Sequence, residues 1–193
     1  MVAPLIVGIG GSTSPSSVTN RLLTACLAHA EAGGARIESV YGAELANLPI
    51  FTMTAEPDPA AERMLEAIRA ADAVVIASPG YHGGMSGLVK NAVDHLEFLR
   101  DDVRPYLDGR AVGLIVSAAG WQACGTTLVS LRSAVHSLRG WPTPFGVTVN
   151  SAEPLDGPDG VFAERIDGAL QILAGQLLDF ASWQVAARAD AEP

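Results

Sequence analysis

Positive charge is scarce in this sequence. Its 193 residues include 12 lysines and arginines against 21 aspartates and glutamates, which gives a formal net charge of −9. An acidic surface of this kind disfavours nucleic acid and anionic membranes as partners. It also means that any bound phosphate must be held by backbone N–H groups and hydroxyls, because no general positive field is available.

Cysteines and long apolar runs are scarce as well. Cys26 and Cys124 are far apart and form neither a C-x-x-C pair nor a metal-binding spacing, which favours a reduced cytoplasmic setting. No segment approaches the roughly 18 to 20 apolar residues that a membrane span needs. Residues 1–4 lack the basic region of a signal peptide. We therefore expect a cytoplasmic protein without a membrane partner.

The sequence does contain a regular alternation of buried strands and amphipathic helices. Unbroken or weakly alternating apolar runs predict strands at 4–10, 36–41, 73–77, 110–117 and 143–149. Apolar residues at helical spacing predict a helix after each strand, including long ones near 126–138 and 162–180. We expect one domain over residues 1–183, followed by a frayed tail over residues 184–193.

This order of elements predicts an α/β fold, a doubly wound five-stranded parallel sheet with helices on both faces. Such sheets bind ligands outside the carboxyl ends of their strands, at the topological switch point. In the flavodoxin-like strand order 2-1-3-4-5, strands one, three and four are neighbours. The loops after these three strands are therefore expected to converge on one site.

The loop after the first strand is rich in hydroxyls. Six of the eight residues from Ser12 to Thr19 carry one, and a helix follows directly. A third Rossmann glycine and the G-K-[ST] of a P-loop are both missing. The free N–H groups and the dipole of a helix N-terminus predict a phosphate site here. Simple N-capping by Ser16 or Ser17 is the alternative, although one hydroxyl would be enough for that.

The loop after the third strand, residues 78–87, contains glycines and one tyrosine but no charged side chain. Glycines let a flat ligand approach the main chain closely, and backbone N–H groups can bind the polar edge of a heterocycle such as an isoalloxazine. Only Tyr81 and His82 can titrate in this loop, and His82 could equally be an exposed loop residue. The loop thus suits a cofactor that performs its own redox chemistry.

Two motifs resemble those of the NAD(P)H-dependent FMN reductase family. The first is G-S-x-x-x-x-S-x-T-x-x-L at 11–22, and the second, more specific one is S-P-x-Y-x-G-x-x-x-G-x-x-K-N-x-x-D at 78–94. Within this family, the sequence resembles the two-component, alkanesulfonate-type reductases. The resemblance implies a flavodoxin-like fold, bound FMN, and hydride transfer from NADPH or NADH to the flavin. Reduced flavin or electrons would then reach a monooxygenase, a quinone or an azo compound.

The resemblance also implies which residues bind the cofactor. Ser12, Ser17 and Thr19 are expected to bind the FMN phosphate, with help from Asn20. Ser14 stands in the phosphate loop where the family often has arginine, so we expect weaker phosphate binding. The flavin ring and ribityl chain are expected to contact Pro79, Gly80, Tyr81, His82 and Gly83, and the third side is expected to be closed by Ala119, Gly120 and Trp121.

No catalytic side chain and no metal ligand is expected, and the family implies a homodimer or homotetramer. Lys90 and Asp94 are expected to form an ion pair, either structural or at a subunit interface. Trp121 could instead be a packed loop aromatic, Cys124 either a reactive thiol or a buried small residue, and 51–54 either a lid or a surface loop. The presence of Met85 in the loop after the third strand leaves open how the flavin is released.

Two other functions stay open at this point. One is an FMN-binding electron carrier that has no nicotinamide turnover of its own. The other is a biosynthetic flavoenzyme that acts on a bound organic substrate.

Overall fold

The structure is a computed structural model that describes residues 3–14, 16–53, 56–157 and 159–191. The described strands are β1 (Leu5–Gly10), β2 (Arg36–Tyr41), β3 (Ala73–Tyr81), β4 (Gly84–Met85), β5 (Ala111–Ala118), β6 (Trp141–Pro142) and β7 (Val147–Asn150). They form a sheet of order β2-β1-β3-β5-β6, in which β7 also pairs with β5 and β4 pairs with β3. All pairs are parallel except β3–β4.

Helices cover both faces of this sheet. They are α1 (Val18–Ala32), α2 (Ala43–Ala46), α3 (Pro59–Ala70), α4 (Gly87–His95) with a 3-10 turn (Leu96–Leu99), α5 (Trp121–Ser137) and α6 (Glu164–Ala191). One apolar core lies between the sheet and α3, α4 and α5, and the other lies between the sheet and α1 and α6. The central strands β1 and β5 are buried along their whole length, as expected for a sheet covered on both faces. The predicted doubly wound α/β fold is confirmed.

The predicted count of five strands is incomplete, because the sheet has seven. The strand predicted at 143–149 corresponds to β7, and the short strand β6 precedes it; both pair with β5. Pro142 and Pro144 have no backbone N–H to donate, and this interrupts the ladder between the two short strands. The additional strand β4 forms an antiparallel hairpin with the end of β3.

The last helix is longer than predicted. A frayed tail was expected from residue 184, but α6 continues as a helix to Ala191. Gln184, Ala186 and Ala187 are strong helix formers, so local propensity extends the helix beyond its apolar stripe. Within the described residues, no helix has the length and apolar character required to cross a membrane.

Candidate functional site

The loops after β1, β3 and β5 meet at the carboxyl edge of the sheet. The Gly11 N–H donates to the Ala77 carbonyl at 2.8 Å, which joins the first loop to β3. The Ser86 hydroxyl, at the start of α4, donates to the Gly11 carbonyl at 3.0 Å. A Cβ on Gly11 would lie 2.3 Å from Val89 Cγ2, so only glycine fits this junction. The convergence predicted from the strand order is confirmed.

The hydroxyl-rich loop is shaped by its own side chains. Ser17 caps α1 by accepting the Asn20 N–H at 3.1 Å. The Asn20 side-chain amide donates to the carbonyls of Ser12 at 3.1 Å and Ser14 at 3.0 Å. Asn20 is only 3% exposed, so it braces the loop from beneath rather than presenting its side chain to an anion. Its assistance to phosphate binding stays a prediction.

Thr19 is also turned inwards. Its side chain is 2% exposed, and its hydroxyl lies 2.7 Å from the Ser117 hydroxyl on β5. It therefore ties α1 to the sheet, and its contact with phosphate stays a prediction. Ser14 and Ser16 remain at the surface, where their hydroxyls lie 3.2 Å apart, and Ser12 is half-buried.

The first turn of α1 and the exposed hydroxyls of the loop before it are suited to binding a phosphate. The first turn of a helix leaves backbone N–H groups without intrahelical acceptors, and these groups favour a bound anion. In α1, Ser17 satisfies only one of them, the Asn20 N–H. The hydroxyls of Ser12, Ser14 and Ser16 can donate to phosphate oxygens without contributing any charge.

The loop after β3 is a tight β-hairpin. Gly80 pairs with Met85 and Tyr81 with Gly84, both in antiparallel register. The two turn residues between them, His82 and Gly83, have φ values of 53° and 83°. Positive φ at both central residues is the signature of a type I′ turn, whose twist matches that of paired strands.

The base of this hairpin is rigid. The Ser78 hydroxyl accepts the Ser86 N–H at 2.9 Å and donates to the Pro79 carbonyl at 2.9 Å. Pro79 is buried within β3, and its contact with the flavin stays a prediction. A Cβ on Gly80 would lie 2.9 Å from the Thr127 hydroxyl, so this glycine permits close packing of α5.

A cleft of about 620 Å³ separates the hairpin turn from the start of α5. This volume lies within the roughly 300–1,000 Å³ typical of small-molecule sites. Its lining residues are His82, Gly83, Ala119, Gly120, Gln122, Ala123 and Thr126. Four of these were predicted from the sequence, and the last three were not.

The missed residues lie on the first turns of α5, which begins at Trp121 rather than near residue 126. The regular apolar pattern of this helix starts only at Leu128, so periodicity misses the turns that line the cleft. Gly120, whose φ of 139° suits glycine, marks the true start. It is the signal in the sequence that would have extended the helix.

Trp121 and Tyr81 do not line the cleft. Tyr81 is 63% exposed beside the turn. The Trp121 indole N–H donates to Glu153 at 2.7 Å, and the same carboxylate oxygen accepts from the Asn150 side chain at 2.9 Å. Trp121 is therefore fixed between the loops after β5 and β7, and its contact with flavin stays a prediction. Glu153 belongs to no sequence motif and was not predicted.

The two cysteines are both buried. Burial raises the pKa of Cys26 to about 12. It also raises the pKa of Cys124, whose thiol donates to the Val149 carbonyl at 3.3 Å. Both thiols are therefore protonated at neutral pH, and the reactive alternative for Cys124 is not supported.

The other predicted features lie on and around α4. Lys90 and Asp94 form the expected ion pair at 2.6 Å. The Phe51 N–H donates to Asn91 at 2.9 Å and its ring packs edge-on against His95, so this part of the predicted lid is attached to α4. Residue 54 lies outside the described residues. Met85 packs partly buried against the core beneath α4.

Comparisons with known proteins agree with this geometry. Residues 4–153 match the family described as NADPH-dependent FMN reductase. An FMN-dependent NADPH-azoreductase of Staphylococcus aureus is 33% identical over 114 residues, which cover 59% of this chain and 56% of that protein. The match thus spans little more than half of the azoreductase's length.

Solved structures show the fold. A flavoenzyme NAD(P)H:(acceptor) oxidoreductase from Paracoccus denitrificans is 18% identical with a TM-score of 0.77, covering 94% of this chain and 99% of that one. A flavodoxin, WrbA-like protein from Agrobacterium tumefaciens is 17% identical with a TM-score of 0.68, covering 94% and 99%. The fold is therefore flavodoxin-like.

Proposed function

Because the chain belongs to the NADPH-dependent FMN reductase family, we propose that it binds FMN at the carboxyl edge of its sheet and reduces it with a nicotinamide nucleotide. The observation that carries this proposal is the joining of the hydroxyl loop to the hairpin through Gly11 and Ser86. A phosphate subsite and a cleft for a flat ring then belong to one continuous site. The arrangement of the described residues in one sheet supports a single domain.

The chain's own residues would bind and orient the cofactor. The phosphate would be held by the first turn of α1 and by the serine hydroxyls of the loop, those of Ser12, Ser14, Ser16 and Ser17. The hairpin turn and the first turn of α5 would face the ring, where backbone N–H groups favour negative charge. When bound, FMN would supply the redox chemistry by accepting a hydride from the nicotinamide.

The described lining of the cleft supports a site in which the protein binds and orients the cofactor and the cofactor supplies the redox chemistry. Its one titratable side chain is His82, and the remaining residues present backbone, methyl, amide and hydroxyl groups. Such a lining can position a ring and a nicotinamide and can limit the access of water. It offers no nucleophile–base pair, so a hydrolytic reaction is disfavoured.

The name of the azoreductase relative supports NADPH as the donor and an azo compound as one acceptor. A quinone acceptor, a flavin-dependent monooxygenase partner, a homodimer or homotetramer and a cytoplasmic location are parts of the same proposal. The likeness to alkanesulfonate-type reductases also stays a prediction. The Lys90–Asp94 ion pair is exposed enough to take part in a subunit contact.

The test is anaerobic mixing of the purified protein with FMN and NADPH, with protein-free mixtures as the control. We expect the visible flavin absorbance to bleach, and to return when an azo dye or a quinone is added. Tight FMN binding without bleaching would overturn the proposal in favour of an electron carrier. Bleaching followed by reoxidation only with one particular organic compound would favour a biosynthetic flavoenzyme.

A further inference from the structure

A second cleft lies at the opposite end of the sheet. It has a volume of about 360 Å³ and is bounded by Ala111, at the start of β5, by the edge strand β6 and by α6. The flavin site lies beyond Ala118, at the other end of β5. Seven residues of extended chain separate the two alanines by about 23 Å. The two clefts are therefore separate sites.

The walls of this cleft, which we call the edge groove, are aromatic. Trp141 comes from β6, and Phe180 and Trp183 come from α6. The Trp141 and Phe180 ring centroids lie 6.3 Å apart at an interplanar angle of 39°. Trp141 is 61% exposed and Trp183 is 69% exposed. Large apolar side chains that are exposed together mark an interaction site more often than isolated ones do.

The two tryptophans lie outside the protein core, whereas Phe180 is partly buried against it. On α6, Leu173, Leu177 and Ala181 are buried against the sheet. Asp179 and Trp183 lie on a different face, which borders the edge groove. Helical spacing thus gives α6 one stripe buried against the sheet and a second stripe along the edge groove.

The charge of the edge groove favours a cation. Asp179 is its one ionisable lining residue among those described, and no described lysine, arginine or histidine borders it. Arg139, two residues before Trp141, is engaged elsewhere, with its guanidinium 5.7 Å from the Tyr106 ring. Aromatic faces attract cations, most strongly at tryptophan. The net charge of −9 adds a general attraction for cations.

Other classes of ligand fit less well. A peptide strand cannot extend the sheet here, because Pro142 and Pro144 lack the N–H groups that a strand would require. A bare metal ion would find a single carboxylate, and a phosphorylated ligand would find no basic partner. We propose that the edge groove binds a small organic cation with a methylated ammonium group, held by the three rings and balanced by Asp179.

The experiment compares choline with its neutral tert-butyl isostere, dimethylbutanol, in titrations followed by calorimetry and tryptophan fluorescence. The isostere has the same shape without the charge. We expect choline to bind roughly 2-fold to 30-fold more tightly, the range that cation–π attraction supplies. Equal binding of both compounds, or binding of neither, would overturn the proposal.

Variants locate the site. Trp183→Leu keeps an apolar side chain but removes the ring, and Asp179→Asn removes the charge with little change in shape. We expect each to weaken choline binding, the second by up to about 5-fold because Asp179 is solvent-exposed. Asp159→Asn, an equal change of charge at an exposed position outside the groove, should have no effect. An unchanged affinity in both groove variants would refute the assignment.

A second copy of the chain is the competing occupant. Sedimentation velocity of the wild type and Trp183→Leu tests it under the same conditions. If the protein is a dimer that Trp183→Leu dissociates but choline does not dissociate at any concentration, the proposal is overturned and the groove is assigned to self-association. An oligomeric state that is the same in both proteins supports a ligand site. None of these readouts depends on flavin reduction.

Discussion

Gly80 keeps the hairpin and α5 in close contact, and adding one methyl group there is expected to force them apart. A Cβ at this position would lie 2.9 Å from the Thr127 hydroxyl and 3.0 Å from Ala118 Cβ. Both neighbours are buried, so the added methyl group would have little free space to occupy. Adding a methyl to a well-packed site typically costs about 1–3 kcal/mol. We therefore expect Gly80→Ala to destabilise the protein by about that amount.

The assay is thermal unfolding of Gly80→Ala beside Gly84→Ala. For a chain of this size, 1 kcal/mol shifts the Tm by about 2–4 °C, so we expect a fall of roughly 2–12 °C for Gly80→Ala. Gly84 lies in the same hairpin, but a Cβ there would meet only the Tyr81 carbonyl, at 4.0 Å. Gly84→Ala should therefore be neutral or slightly stabilising, because alanine restricts the unfolded chain.

The same pair tests the site. Gly80→Ala should displace the first turns of α5, which line the cleft. FMN, followed by quenching of its fluorescence, should therefore bind more weakly to Gly80→Ala than to Gly84→Ala. If the two variants melt at the same temperature and bind FMN equally, the packing argument is refuted.

Three further predictions concern single side chains. Burial raises the Cys26 pKa from 9.0 to about 12. The contribution of Cys26 to the free energy of unfolding is therefore complete below pH 9 and falls by about 1.4 kcal/mol per pH unit above it. Urea unfolding at several alkaline pH values should show this slope, and Cys26→Ala should lack it. Ser17→Ala removes the cap of α1 and should cost about 1 kcal/mol in urea unfolding, whereas an unchanged stability would contradict the capping role. Glu153→Gln replaces a charged hydrogen-bond acceptor for the Trp121 indole by a neutral one, so it should shift the tryptophan fluorescence and weaken FMN binding. The same spectrum and FMN affinity as the wild type would show that Glu153 does not position the indole.

The fold could be predicted because its strands and helices follow simple periods. The strands β1, β3 and β5 are continuous apolar runs, and their order in the chain leaves few topologies. The hairpin was missed because its pairing depends on a two-residue turn in which His82 adopts a positive φ. That conformation is uncommon for a residue other than glycine, and apolar periodicity carries no information about it.

The site was predicted less completely because a count of hydroxyls does not say where they point. Thr19 and Asn20 belong to the loop motif, yet both lie on the buried side of α1. Asn20 is followed by Leu23 and Leu27 at helical spacing, and Thr19 by Cys26 two turns later. Extending the apolar stripe of α1 back to its first turn would have placed both residues inside, and would have left the serines as the phosphate candidates.

The phosphate loop has no free arginine to compensate for the serine at position 14. Arg21, on the first turns of α1, is paired with Asp156 and stacked 4.6 Å from the Phe162 ring. Both partners lie on the connection between β7 and α6, so this cation serves to fasten that connection to α1. An anion at the start of α1 would therefore be held by neutral hydroxyls and backbone N–H groups. Such donors lack the opposite charge and the bidentate geometry that a guanidinium offers to phosphate, which favours a flavin that is exchanged rather than permanently retained.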